Sequence, residues 1–147
     1  MLKIEHLTKV YSNGKKAVDD LSLIVEPGDI YGFIGANGAG KTSTIKSIVG
    51  IHDFDKGEIY ICGHSIRKEP LLCKKKMAFL PDNPDLYKNL TARQFLDFVA
   101  DIYRVSMEKR QAAIEKYSKM FELDTSLDQL ISAYSHGMKQ RLALIAA

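Results

Sequence analysis

Within Gly35-Ala36-Asn37-Gly38-Ala39-Gly40-Lys41-Thr42-Ser43 the first eight residues fit the pattern G-x-x-x-x-G-K-[ST], and Ser43 follows it. The residue types suit one kind of chemistry. A triphosphate is wrapped by backbone N–H groups, and side chains at Gly35, Gly38 or Gly40 would obstruct that approach. Lys41 can bring a cation to the outer phosphates, where it would act in phosphoryl transfer. The Thr42 hydroxyl can ligate Mg²⁺, an ion that prefers oxygen and keeps several waters, and Ser43 can donate to an inner phosphate. The competing reading is a glycine-rich turn ahead of a capped helix.

The flanking elements favour the phosphate reading. Ile30-Tyr31-Gly32-Phe33-Ile34 is short and apolar enough for a buried strand. Thr42 to Val49 has apolar residues at helical spacing and is stopped by Gly50. Strand, loop and helix N-terminus together place positive potential at the loop. Upstream, Leu2 to Leu7 alternates apolar and polar, Ser12-Asn13-Gly14-Lys15 reads as a turn, and Asp20 to Val25 resumes the strand pattern up to Pro27-Gly28. These strands are expected to be antiparallel. Tyr11 ends the first of them, where its ring could stack on a purine or sit half-buried on the strand.

Beyond the loop helix, Lys56 to Gly63 reads as a strand and Met77 to Pro81 as a short buried one. A loop, Asp82-Asn83-Pro84-Asp85, follows. Thr91-Ala92-Arg93-Gln94 forms a capping box, with Leu90 and Phe95 as a hydrophobic staple. It opens a helix whose stripe holds Phe95, Leu96, Val99, Ile102 and Tyr103. A second helix, from near Ser106, carries Ala113, Ile114, Tyr117, Met120 and Phe121, and the two stripes are expected to pack on each other. Last comes Tyr134-Ser135-His136-Gly137-Met138-Lys139-Gln140-Arg141. Ser135 reads as the N-cap of a helix that is still unstopped at Ala147, and the N–H groups behind it are a second potential anion site.

Composition narrows the class without naming it. The 147 residues suggest one domain, 46% hydrophobic and 27% charged. A net charge of +3 is too small a surplus to imply nucleic-acid binding without a clustered basic face, and Lys74-Lys75-Lys76 reads as solvated surface. Cys62 and Cys73 have neither metal-ligand nor redox spacing, and are expected to be reduced and buried or half-buried, as suits a cytosolic protein. No apolar run reaches the roughly twenty residues that span a bilayer, so work at a membrane would require docking on a partner.

The loop Gly35 to Ser43, the F-L-P-D loop and Y-S-H-G-M-K-Q-R, in that order around a two-helix insert, resemble the nucleotide-binding subunit of ABC transporters. The resemblance implies an α/β fold: an incomplete P-loop NTPase core with an N-terminal antiparallel β subdomain and an inserted helical subdomain. On that pattern residues 1–29 and 56–66 form the β subdomain, 30–55 and 76–84 the nucleotide-binding core, and 85–147 the helical subdomain with its signature helix. It implies ATP and Mg²⁺ as cofactors, with Tyr11 stacked on adenine and Gly35, Ala36, Asn37, Gly38, Ala39, Gly40, Lys41, Thr42 and Ser43 around the phosphates. Ser135 and Gly137 would reach the γ-phosphate of a nucleotide held by another subunit in a head-to-tail dimer. A transmembrane permease subunit is the other implied partner, with the chain peripheral on the cytoplasmic face of the cell membrane.

Three departures from the family pattern qualify these expectations. Asp82 stands where the family has a glutamine near Mg²⁺ and the attacking water; a carboxylate there can bind the metal, or serve as a turn former beside Pro81 and Pro84. His136 replaces a glycine and Met138 a glutamine of the signature, which implies weaker engagement there. The second acidic motif, catalytic glutamate and switch histidine would follow Ala147, so the residues read as the ATP-binding portion of a longer ATPase, without turnover alone. F-L-P-D-N-P-D-L-Y with L-T-A-R-Q-F-L resembles bacterial exporter subunits. A soluble ABC-type ATPase and a nucleotide-gated regulatory fragment are the alternatives.

Overall fold

The structure is a computed structural model that describes all 147 residues, Met1–Ala147. The chain divides into two compact units, Met1–Ala78 and Phe79–Ala147.

The first unit is built on a four-stranded antiparallel sheet in the order β2-β1-β3-β4, comprising β1 (Leu2–Val10), β2 (Lys16–Val25), β3 (Lys56–Ile61) and β4 (His64–Ser65). β1 is one of the two inner strands, pairing Ile4 with Leu23 on one side and with Ile59 on the other. Its alternation is broken at His6, which takes a positive φ of 51°, and both ladders shift register there. Such a bulge re-phases the strand, so Ile4 and Leu7, three positions apart, are both buried. With Val18, Phe54, Ile59, Ile61, Ile66 and Cys73 they form the core of this unit. Helices α1 (Lys41–Ile48) and α2 (Pro70–Lys74) complete it.

Three expectations fail between residues 30 and 81. Residues 30–34 form no strand; Ile30 and Ile34 are 101% and 96% exposed. Residues 77–81 form none either, with Phe79 and Leu80 at the surface. A strand exists through its ladder, and no segment of these 147 residues pairs with either stretch. Cys62 lies in the exposed turn after β3 instead of within a strand, whereas Cys73 is buried in α2 and burial pushes its thiol pKa up.

The second unit is helical: α3 (Ala92–Ile102), α4 (Met107–Met120) and α5 (His136–Ala146), with short 3₁₀ turns at Asp124–Ser126 and Ile131–Ala133. The capping box is present, Thr91 Oγ1 accepting from Gln94 N–H and Gln94 Oε1 from Thr91 N–H. Phe95 is buried and Leu90 half-buried in one core, as the staple requires. That core differs from the expected helix pair. Phe95, Leu96 and Ile114 contribute, but Leu123, Leu127, Ile131, Tyr134 and Leu142 fill most of it. Ile102, Tyr103, Tyr117 and Met120 are exposed, because a helical period defines a face without supplying a neighbour for each turn of it. Arg110, 9% exposed on α4, is held by the carboxylates of Asp97 and Asp101 of α3, and its hydrogen bond to Asp101 raises its pKa.

Candidate functional site

The Gly35–Ser43 stretch folds as a loop that feeds directly into α1. Ala39 N–H donates to Ala36 O at 3.2 Å, closing a turn within the loop. Gly38 and Gly40 have φ of 86° and 91°, a left-handed conformation that costs other residues about 1–2 kcal/mol. Gly40 carries a second constraint. A Cβ there would lie 2.2 Å from the Ala17 carbonyl oxygen on β2, so this glycine seats the loop against the sheet. At Gly35 a Cβ would crowd Ala39 at 3.3 Å, inside the loop itself.

Helix α1 begins at Lys41 with Gly40 as its N-cap, and no side chain caps it. The amides of its first turn lack intrahelical acceptors, and with no acidic residue there they retain the positive end of the helix dipole. α3 and α5, by contrast, are closed by Thr91 and Ser135. The Lys41 ammonium curls over the loop, donating to Gly35 O at 2.5 Å and Ala36 O at 2.8 Å. Thr44, buried on α1, returns its hydroxyl to Gly40 O at 3.0 Å. Thr42 is exposed and its hydroxyl makes no intramolecular hydrogen bond.

Tyr11 follows β1 in a tight turn, donating its N–H to Lys15 O and accepting from Gly14 N–H. Its hydroxyl reaches Ser43 Oγ at 2.9 Å and His52 Nδ1 at 3.5 Å, and the His52 ring meets it edge to face. The base-stacking candidate and the phosphate-loop candidate are thus tied through one hydrogen bond. Neither Ser43's second role nor His52 was legible in the sequence, since no local pattern relates residues so far apart.

In the second unit Ser135 caps α5, accepting from Met138 N–H at 3.3 Å. Ser135, His136 and Gly137 are exposed, and a Cβ at Gly137 would meet nothing within 4 Å. Tyr134 anchors this terminus: it is 3% exposed and its hydroxyl donates to Ser126 O at 2.7 Å. Burial raises its pKa, which keeps the hydroxyl a donor. Gln140 of α5 donates its side-chain N–H to Asp82 O at 3.0 Å, linking the Asp82 loop to the signature helix. Sequence reasoning missed both contacts; the aromatic just before Ser135 was the only signal. No group of three His, Cys, Asp or Glu side chains forms a ready metal cluster.

The ABC transporter family profile matches residues 18–147, nearly the whole chain. The chain belongs to the ABC transporter family. This ABC transporter chain is 37% identical over 145 residues to the uncharacterized ABC transporter ATP-binding protein YhcH of Bacillus subtilis, covering 98% of the chain and 46% of the relative. It is 37% identical to the bacitracin transport ATP-binding protein BcrA of Bacillus licheniformis, covering 100% of the chain and 47% of the relative. The ABC chain therefore spans about half the length of these relatives. Its fold matches the ATP-binding subunit of an ABC transporter with a TM-score of 0.92 at 29% identity, over 100% of the chain and 61% of that structure. A dimeric ATP-binding cassette in a post-hydrolysis state, bound to ADP and Pi, matches with a TM-score of 0.84 at 25% identity, over 99% of the chain and 68% of that structure. The incomplete P-loop NTPase core, antiparallel β subdomain and helical subdomain expected from sequence are the architecture of this ABC chain.

Proposed function

We propose that these residues form the ATP-binding portion of an ABC transporter ATPase subunit that couples ATP binding and hydrolysis to transport, with export as the direction. The observation that carries the reading is the uncapped N-terminus of α1 behind a glycine loop, with the Lys41 ammonium lying across the loop carbonyls. Export draws support from one relative, the SkfA peptide export ATP-binding protein SkfE of Bacillus subtilis, 35% identical.

In this reading Gly35 to Ser43 wrap the phosphates with backbone N–H groups, and Lys41 exchanges its carbonyl contacts for phosphate oxygens. Tyr11 stacks on adenine while its hydroxyl registers the ring against α1. The unengaged Thr42 hydroxyl fits a single oxygen ligand of Mg²⁺, whose charge would neutralise the phosphates. Ser135 and Gly137 present the N-terminus of α5, which Ser135 itself caps, to the γ-phosphate of a nucleotide on a second ATP-binding subunit, head to tail. Residues 1–29 and 56–66 act as the β subdomain, 30–55 and 76–84 as the nucleotide core, and 85–147 as the helical subdomain. A transmembrane permease subunit completes the assembly, with this chain cytoplasmic and peripheral on the inner face of the cell membrane; no helix of the chain is long and apolar enough to cross a membrane. The 147 residues alone bind ATP without turning it over, since they hold the cradle and no established residue to orient water.

A thermal melt with Mg·ATP tests the site. Ligand at about a hundred times its dissociation constant adds roughly 2.7 kcal/mol of stability. That gain should vanish in Lys41→Ala and shrink in Thr42→Ala; equal shifts in wild type and both variants would overturn the assignment.

A further inference from the structure

Away from the glycine loop, the C-terminal half of α1 and α2 line an open cavity of about 480 Å³ within the first unit. Its lining combines features that the phosphate-loop reading leaves unused. The Ser47 side chain, on α1, is fully buried, lines this cavity and has no hydrogen-bond partner for its hydroxyl. A buried hydroxyl without a partner costs about 1–3 kcal/mol, so a persistent one calls for a polar occupant.

Two cations line the same space. The Arg67 guanidinium stacks on the Phe54 ring at 4.0 Å and donates one N–H to Phe54 O, an arrangement that orients the group. Neither Arg67 nor Lys74 has a carboxylate within ion-pairing distance. The Lys74 stem passes close to Gly50, its Cε lying 3.9 Å from where a Gly50 Cβ would be. Asp53, which also lines the cavity, offsets one of the two charges and leaves a net positive lining.

We propose that this cavity is a second phosphoryl-binding site, distinct from the Gly35 loop, for a small phosphomonoester. A guanidinium, an ammonium and a hydroxyl, carried by different elements, suit a tetrahedral oxyanion better than a planar carboxylate. The volume exceeds what inorganic phosphate needs, and the exposed Pro70 supplies apolar surface for an organic body.

The test uses the Lys41→Ala chain, so that phosphate at the glycine loop does not contribute. Inorganic phosphate, phenyl phosphate and acetate are titrated calorimetrically. Saturable binding is expected for both phosphates, tighter for phenyl phosphate, and weaker for acetate. Ser47→Ala and the surface variant Lys74→Gln should each weaken it at least about tenfold, the effect of one charge-assisted hydrogen bond. No binding in Lys41→Ala, binding unchanged by Lys74→Gln and Ser47→Ala, or acetate binding as tightly as phosphate would overturn the proposal. Because the Mg·ATP melt reads Lys41 and this titration is made without it, each reading can fail while the other stands.

Discussion

The Tyr11 hydroxyl lies 2.9 Å from Ser43 Oγ, so the residue just after β1 is bonded to the third residue of α1. Tyr11→Phe keeps the ring and deletes this bond, and should lower stability by about 0.5–1.5 kcal/mol. In a Ser43→Ala background the same change should cost almost nothing; a denaturant double-mutant cycle measures the difference, and additive costs would show the bond to be energetically silent. Tyr11→Phe should leave ATP affinity near wild type. Tyr11→Ala should weaken it by about 1–3 kcal/mol, the worth of one stacked base, in an ATP titration.

Gly40 and Gly38 separate two reasons for glycine. Both need left-handed backbone, but only Gly40 also abuts Ala17 O, at 2.2 Å from a notional Cβ. Gly38→Ala should destabilise by about 1–2 kcal/mol and Gly40→Ala by about 2–5 kcal/mol, the overlap adding to the strain. Chemical denaturation of the two variants gives the comparison, and equal losses would contradict the seating role of Gly40.

Acid should act first through carboxylates held down by cations. Arg93 Nε donates to Asp128 Oδ1 at 2.8 Å and lowers the Asp128 pKa below the usual aspartate range. A depressed native pKa contributes stability that is present above the unfolded aspartate value of about 3.9 and is lost as pH falls through the native one. The pair is exposed and its contribution small. Asp128→Asn should nonetheless make the pH–stability curve shallower below about pH 4; superimposable curves would refute the coupling.

Sharing of one nucleotide between two subunits can be read by mixing. In the full-length subunit, Lys41→Ala and Ser135→Arg homodimers each carry two damaged sites if each site takes Lys41 from one chain and Ser135 from the other. A heterodimer then has one doubly damaged and one intact site. ATP-dependent association, followed by analytical ultracentrifugation, should be weak for each variant alone and recover on mixing. No recovery would favour a site built within one chain.

What could be read from the residues in order was local. The glycine loop leading into α1, the Thr91–Gln94 capping box and the Ser135 cap each depend on backbone and side-chain bonds spanning a few positions, so their patterns carry their geometry. Residues 30–34 had the apolar composition of a buried strand and are nonetheless exposed, because strand formation depends on a partner ladder. The stripe of α3 predicted a buried face, yet Ile102 and Tyr103 lie open, since periodicity names the face and packing decides what covers it. Long-range closure was decided only in three dimensions. Tyr11 meets Ser43 32 positions on, and Gln140 clasps Asp82 O 58 positions back. Such pairs are set by how the sheet and helices bring distant backbone together, and neither residue of either pair carries a local signal for the other.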